Sequence, residues 1–376
     1  MKKEFKILQG NEAVVDAAIA AGCRFFAGYP ITPAAEIAEE MALKLPEHDG
    51  IYIQMEDEIA SIMGVVGATW GGMKACTATS GPGFSLMQEG IGFAAMTETP
   101  CVIINVMRGG PSTGQPTLSS QQDVMQAKYG SHGDYEVIAL CPSSVQEAYD
   151  LTIKAFNLAE TYRVPVIILS DEIVGHTREK IQISSKADVV ARTQPGEPAE
   201  TYKPYEPLES GLLDGMPAFG QGYKLLVDGQ CHDETGNRAG NDPAVSGKLV
   251  KRLCEKITGH AAELEDVEGA FIEDAESVVV AYGSVARSAL DAVKKARAQG
   301  VKVGFIRMKI LWPFPDRAIK EAIRNARRII VPEMNIGKIC REVERLAADD
   351  QDVISLPKMG GVLHRPDEII EAIKGR

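Results

Sequence analysis

One pattern restricts the fold of this chain more than any other. Short apolar runs take turns with longer runs of helical spacing, from the first residues to about Ser170. The apolar runs are Arg24–Ala27, Ile51–Gln54, Lys74–Thr79, Cys101–Val106, Val137–Leu140 and Pro165–Ser170. Helices between them are expected to end near Ala21, Leu45, Met96, Lys128 and Thr161. Asn11 is placed to cap the first helix and Thr32 the second, with Pro33 in its opening turn. Strand and helix alternating in this way make a mostly parallel sheet, because each parallel neighbour needs a crossover and a helix supplies it. Such sheets bind ligands outside the carboxyl ends of their strands. Four loops fall there: Tyr29–Pro33, Glu56–Glu58, Thr79–Gly83 and Arg108–Gly114.

The alternation stops after Val174. From 176 to 269 the chain is rich in Pro, Gly and charge, and Pro195, Pro198, Pro204, Pro207 and Pro217 fall close together. This reads as an extended arm or linker with one helix, near Ser246–Ile257. A second alternating unit fills 270–376. It holds strands at Ser277–Tyr282, Val303–Ile306 and Arg328–Val331, and helices at Ser284 onward, Pro315–Ala326, Gly337–Ala348 and Pro366 onward. The expected fold class is α/β: two parallel-sheet domains, 1–175 and 270–376, joined by a long irregular arm.

The centre of the first domain is the run from Ile51 to Ala68. A short strand passes into a helix whose first turn carries Glu56, Asp57 and Glu58, where the helix dipole favours negative charge. Ala60, Ser61, Gly64, Gly67 and Ala68 follow and let a backbone or a flat ligand come close. Glycine costs about 1 kcal/mol inside a helix, so two of them point to a packing or functional need. These residues alone fit either a capped core helix or a cofactor carboxylate. Arg108 leaves a buried strand for a glycine loop, where a guanidinium can meet a carboxylate bidentately or serve a structural salt bridge. His132 lies between two glycines in Tyr129–Tyr135, unlike a packed core position.

Several classes drop out. A net charge of −12 argues against a nucleic-acid-binding surface. No apolar run approaches the ~18 residues of a membrane helix, and Met1–Phe5 lacks the apolar stretch of a secretion signal, so the expected location is the cytoplasm. The seven cysteines are scattered, and no two are three apart, so no zinc-ribbon or ferredoxin spacing exists. Cys231-His232 is the one adjacent Cys/His pair and reads as loop. Phosphate-loop, dinucleotide-loop and nucleophile-elbow patterns are absent.

Taken together, Tyr29-Pro30-Ile31-Thr32-Pro33, the Gln54–Ala68 run and Thr79-Ser80-Gly81-Pro82-Gly83 resemble the pyrimidine-binding domain of thiamine-diphosphate enzymes. More narrowly, the chain resembles the α subunits of 2-oxoacid:ferredoxin oxidoreductases, most of all those acting on 2-oxoglutarate. Gln9–Ala13, Arg108–Gly114 and Lys128–Tyr135 extend the likeness, and the second domain resembles a transketolase C-terminal domain. The resemblance implies that Glu58 pairs with N1′ of the cofactor's aminopyrimidine, so that its 4′-nitrogen can take the C2 proton of the thiazolium. A buried carboxyl with raised pKa suits that role. It implies that Thr32 and Arg108 meet the substrate, Arg108 at the 2-oxoacid carboxylate. Tyr29, Pro30, Ile31, Thr79, Ser80 and Gly81 would border the cofactor; a distal carboxylate needs a second cation, for which Lys128 and His132 are candidates and residues of a β subunit the alternative. The family's Gly-Asp-Gly diphosphate and magnesium motif is missing here, as are cluster ligands. The resemblance places the magnesium and iron–sulfur clusters on partner subunits: a β subunit, with γ and ferredoxin-like δ subunits. Thiamine diphosphate would be shared with the β subunit, coenzyme A would be the co-substrate and ferredoxin the electron acceptor.

The implied activity is oxidative decarboxylation of a 2-oxoacid, with coenzyme A, to acyl-CoA and carbon dioxide. Three other readings stand beside it: a branched-chain 2-oxoacid enzyme of the same family, the β chain of a 2-oxoacid dehydrogenase or another transketolase-like transferase, and a non-enzymatic relative with a decayed site. The Tyr-Pro-Ile-Thr-Pro turn and the long arm favour the first reading over the transferase, and Glu58, Thr32 and Arg108 together disfavour decay.

Overall fold

The computed structural model describes residues 4–183 and 187–375. Its main sheet sets Ile310–Trp312, Ile138–Leu140, Pro165–Asp171, Cys101–Gly109, Lys74–Thr79, Cys23–Gly28 and Ile51–Gln54 side by side in that order. All neighbours run parallel except Ile310–Trp312, which pairs antiparallel at one edge. Gln115–Ser119 folds back antiparallel onto the end of Cys101–Gly109. The two central strands, Cys101–Gly109 and Pro165–Asp171, are buried at every residue. That is why they read as unbroken apolar runs rather than as alternation. Successive residues serve opposite faces: Phe25 and Ile103 pack with Ile62, Trp70 and Ile91, while Phe26 and Ile104 pack with Ile37, Met41 and Phe156.

A second sheet orders Val267–Ala270, Val303–Met308, Ser277–Tyr282, Arg328–Glu333 and Asp352–Pro357, parallel apart from the first. A two-stranded ribbon pairs Glu4–Gln9 with Arg178–Ile183. Six of these strands escape a reading of local pattern: Glu4–Gln9, Gln115–Ser119, Arg178–Ile183, Val267–Ala270, Ile310–Trp312 and Asp352–Pro357. The ribbon strands pair with each other across most of the first unit. Ile310–Trp312 leaves its neighbours in the chain to complete the other sheet, where the Trp312 indole donates to the Val124 carbonyl at 2.7 Å.

Some helix ends differ from the sequence reading. The first helix is Gly10–Ala20 with Gln9 at its cap, not Asn11. The Glu12 carboxylate reaches back to the Gln9 N–H at 2.8 Å, which moves the start forward and releases Asn11 to donate to the Pro33 carbonyl at 2.9 Å. Thr32 caps nothing: the next helix is Ala35–Lys44, and the Ala34 N–H closes a turn onto Ile31 first. The expected helix at Gly337–Ala348 is regular only over Cys340–Glu344. Glu333 takes the N–H groups of Ile339 and Cys340 at 2.9 Å each and holds the preceding loop out of helical form.

The arm contains a longer helix than expected, Pro243–Thr258, and a short one, Ala261–Leu264. It is tied to the first unit by charge. Arg252 and Lys256 both donate to Glu98, Lys256 at 2.7 Å, and Arg163 donates to the Gly215 carbonyl at 3.0 Å. Burial pushes the Glu98 carboxyl up, but Lys256 and Arg252 overcome it and hold it at about 2. No helix among the described residues is long and apolar enough to cross a membrane.

Candidate active site

The four loops named from the sequence follow four adjacent strands. Cys23–Gly28, Ile51–Gln54, Lys74–Thr79 and Cys101–Gly109 are parallel neighbours, so their carboxyl ends open on one edge of the sheet. Asp57 caps the helix Glu58–Trp70 by accepting the Ala60 N–H at 2.7 Å. Glu58 is thereby the first helical residue, and it is 4% exposed. Glu56 is exposed and Asp57 is occupied as a cap, so Glu58 alone of the three is a buried carboxyl. Burial pushes it above the ordinary carboxylate range; the Asp57 charge adds to the effect, while Arg108 opposes it. Among the described residues no other side chain hydrogen-bonds to it.

Space around this carboxyl is shaped by glycine. A Cβ on Gly83 would lie 2.2 Å from Oε1 of Glu58 and 2.3 Å from the Thr79 hydroxyl. Gly81 has φ +48°, and a Cβ there would crowd Arg108 Nε at 3.3 Å. Ser80 is turned inward and donates to the Val106 carbonyl at 2.7 Å, which fixes the turn. The Thr79 hydroxyl is buried without a partner. Tyr29 is 40% exposed, Pro30 and Thr32 are exposed and Ile31 is half-buried.

Arg108 is 5% exposed, and its Nη1 donates to the Thr32 carbonyl at 2.6 Å. Its Nε is buried with no partner, and among the described residues no carboxylate forms an ion pair with it. Burial pulls the guanidinium below its ordinary range, with Asp123 and Glu58 opposing. The structural salt bridge considered from sequence is therefore not what the residue does. A buried, singly engaged cation stands instead at the edge of a cavity of about 540 Å³. Gly81, Ser85, Asp123 and Gln126 also line it, and the second unit adds Asn335, Ile336 and Lys338.

Lys128 and His132 do not line this cavity. Lys128 pairs with Glu136 at 3.5 Å and lies 4.9 Å over the Trp312 ring, beside a different cavity. His132 is exposed in its loop. Sequence reasoning missed Asp123 and Lys338. Asp123 accepts from Asn105 at 3.0 Å; burial pushes its carboxyl up, while Asn105, Lys338 and Arg108 oppose. Lys338 donates to the Gln122 carbonyl at 2.5 Å. The signal for Asp123 was its place just beyond the Arg108 loop; Lys338 carried none.

This geometry has close counterparts. The family model described as pyruvate flavodoxin/ferredoxin oxidoreductase, thiamine-diphosphate-binding, matches residues 16–252. The chain belongs to this family. Residues 275–369 match a second model, core domain II of pyruvate:ferredoxin oxidoreductase. A 2-oxoglutarate synthase subunit KorA of Methanothermobacter marburgensis is 54% identical over 375 residues, 100% of each chain. A solved 2-oxoglutarate:ferredoxin oxidoreductase from Magnetococcus marinus, with 2-oxoglutarate, coenzyme A and succinyl-CoA bound, is 35% identical with a TM-score of 0.93. It covers 99% of this chain, which spans 65% of that one. A split-gene transketolase, 12% identical over 98% of this chain and 97% of its own with a TM-score of 0.55, shares the fold. The chain is an oxidoreductase subunit with a thiamine-diphosphate-binding unit. Its residues fit that cofactor: a glycine cradle that any Cβ would fill, an orphaned Thr79 hydroxyl, and a buried carboxyl free to bond to a ring nitrogen. Among the described residues no group of three or more His, Cys, Asp or Glu is gathered to hold a metal.

Proposed function

We propose that this chain contributes Glu58, Thr32 and Arg108 to a 2-oxoglutarate:ferredoxin oxidoreductase site that a partner subunit completes. The reaction converts 2-oxoglutarate and coenzyme A to succinyl-CoA and carbon dioxide, with two electrons passed to ferredoxin. Thiamine diphosphate, when bound, supplies the carbanion stabilisation that loss of carbon dioxide from a 2-oxoacid requires. Glu58 keeps a proton at the cofactor's pyrimidine edge, because burial favours its neutral form. Tyr29, Pro30, Ile31, Thr79, Ser80 and Gly81 shape the wall on which that ring rests. Arg108 receives the substrate's 1-carboxylate beside Thr32, whose carbonyl orients the guanidinium. Lys338 stands on the same cavity and replaces Lys128 and His132 as the partner for the distal carboxylate. The proposal places the diphosphate and magnesium contacts on a β subunit, the iron–sulfur clusters on further subunits, and the assembly in the cytoplasm. The resemblance to the family and the subunit name of the full-length relative support a multi-subunit enzyme.

One observation carries the reading: a buried arginine with no carboxylate partner and a buried carboxyl with raised pKa lie against the same glycine turn, Arg108 at Gly81 and Glu58 at Gly83. The test is the native complex assayed with a panel of 2-oxoacids. A kcat/KM for 2-oxoglutarate well above those for pyruvate and branched-chain oxoacids is expected; preference for a branched-chain substrate would refute the substrate assignment.

A further inference from the structure

The cavity has two halves. Arg108, Gln122 and Asp123 enter it from the first unit, Asn335, Ile336 and Lys338 from the second. Groups that grip one small substrate must keep register to a fraction of an ångström, since a ~1 Å error can cost roughly 10²-fold. Gln121 sits on the seam and is wholly buried. Its N–H donates to the Met334 carbonyl at 3.1 Å, and its Oε1 accepts the Met334 N–H at 3.1 Å. Its Nε2 donates to the Tyr282 carbonyl at 3.0 Å, and its own carbonyl accepts from Asn335 Nδ2 at 2.7 Å. Every polar group of the residue thus bonds to the second unit. Gly283, with φ +56°, leaves the room: a Cβ there would lie 2.7 Å from Gln121 Nε2.

The loop it grips is braced from behind. Glu333, wholly buried, accepts from the Tyr282 hydroxyl at 2.7 Å and from the N–H groups of Ile339 and Cys340. Asn335 Oδ1 accepts the N–H groups of Gly337 at 2.8 Å and Lys338 at 2.9 Å. Lys338 then reaches back to the carbonyl of Gln122, the residue beside Gln121.

We propose that Gln121 is a positioning residue for substrate selection, docking the Met334–Lys338 loop so that Lys338 stands at a set distance from Arg108. The proposal rests on the reading of Lys338 as the distal-carboxylate partner. A dicarboxylic oxoacid has a fixed span between its charges, so a loosened loop weakens its recognition more than that of a monocarboxylic oxoacid.

The experiment compares Gln121→Met and Lys338→Met in the assembled complex. Methionine keeps the length of glutamine and removes both side-chain hydrogen bonds. The readout is the ratio of kcat/KM for 2-oxoglutarate to that for 2-oxobutyrate. Both variants are expected to lower this ratio roughly tenfold or more, mainly through the KM for 2-oxoglutarate. A lowered ratio in Lys338→Met with a wild-type ratio in Gln121→Met overturns the positioning role and leaves the reading of Lys338 standing. A wild-type ratio in Lys338→Met overturns that reading and the proposal with it. If Gln121→Met fails to assemble, Gln121→Asn is compared by hydrogen exchange over residues 334–340 and by the same ratio. Faster exchange with a lowered ratio supports the proposal; wild-type values of both overturn it.

Discussion

Gly83→Ala adds one methyl group where the structure has no room for it. The new Cβ would stand 2.2 Å from Oε1 of Glu58 and 2.3 Å from the Thr79 hydroxyl, whereas real Cβ contacts essentially never fall under 3.0 Å. The Glu58 carboxyl must therefore retreat by about 0.8 Å, a displacement that at a reacting centre costs up to roughly 10²-fold. Stability suffers less. Overpacking costs ~1–3 kcal/mol, and exchanging glycine for alanine in a helical position returns up to ~1 kcal/mol. The net expectation is a loss of about 0–2 kcal/mol, a few degrees in Tm, with folding and assembly intact. Steady-state kinetics of the complex and thermal unfolding of the isolated chain separate the two effects. The expected result is kcat lowered by one to two orders of magnitude with KM little changed. A wild-type kcat beside a lowered Tm would refute the reasoning, because the carboxyl would have moved without consequence.

Arg108→Ala is expected to lower kcat/KM for the oxoacid roughly ten- to a hundredfold, the worth of one charged hydrogen-bonding partner at ~1.5–3 kcal/mol, while the complex still assembles; unchanged kinetics would reduce Arg108 to a brace for the Thr32 turn. Glu98→Gln strands the buried Lys256 with Arg252 and should cost about 3–5 kcal/mol in urea unfolding at neutral pH. Because the Glu98 carboxyl is held at about 2, below its value in the unfolded chain, its contribution is present above pH ~4.5 and is lost as pH falls toward 2. The difference between wild type and variant should shrink over that acid window, and a difference independent of pH would contradict the ionic origin.

What could be read in advance followed from local periodicity and chain order. The six apolar runs of the first unit all became strands: five are buried on both faces and so are apolar nearly throughout, while Ile51–Gln54 is a largely exposed edge strand. Their carboxyl-end loops then had to share one edge, which set Glu58 and Arg108 against the same Thr79–Gly83 turn. Most of what failed depended on contacts distant in the chain. Lys128 was a candidate for a distal carboxylate as a cation in a loop that carries the family resemblance, yet Glu136 and the Trp312 ring hold it beside a different cavity. Lys338 reaches the cavity only through a loop that Glu333 and Gln121 hold from both sides. Ile310–Trp312 joins the first sheet from the far half of the chain, and nothing in its short run reveals that partner. At Asn11 and Thr32 capping propensity was outvoted, by Glu12 at one and by the turn before Ala35 at the other.

Exchange of the cofactor's C2 proton for deuterium in the assembled complex tests the central claim most directly, measured in wild type and in Glu58→Gln, Glu56→Gln and Asp57→Asn. All three side chains stand at one helix start, where capping and dipole effects are worth only ~0.5–2 kcal/mol each and would appear as lost stability. Glutamine preserves the shape of Glu58 but holds no ionisable proton. The account predicts exchange slowed by orders of magnitude in Glu58→Gln alone, with assembly intact and the other two variants close to wild type. Equal rates in all three variants, or the main defect at Glu56, would contradict it and leave Glu58 a buried carboxyl at the start of a helix.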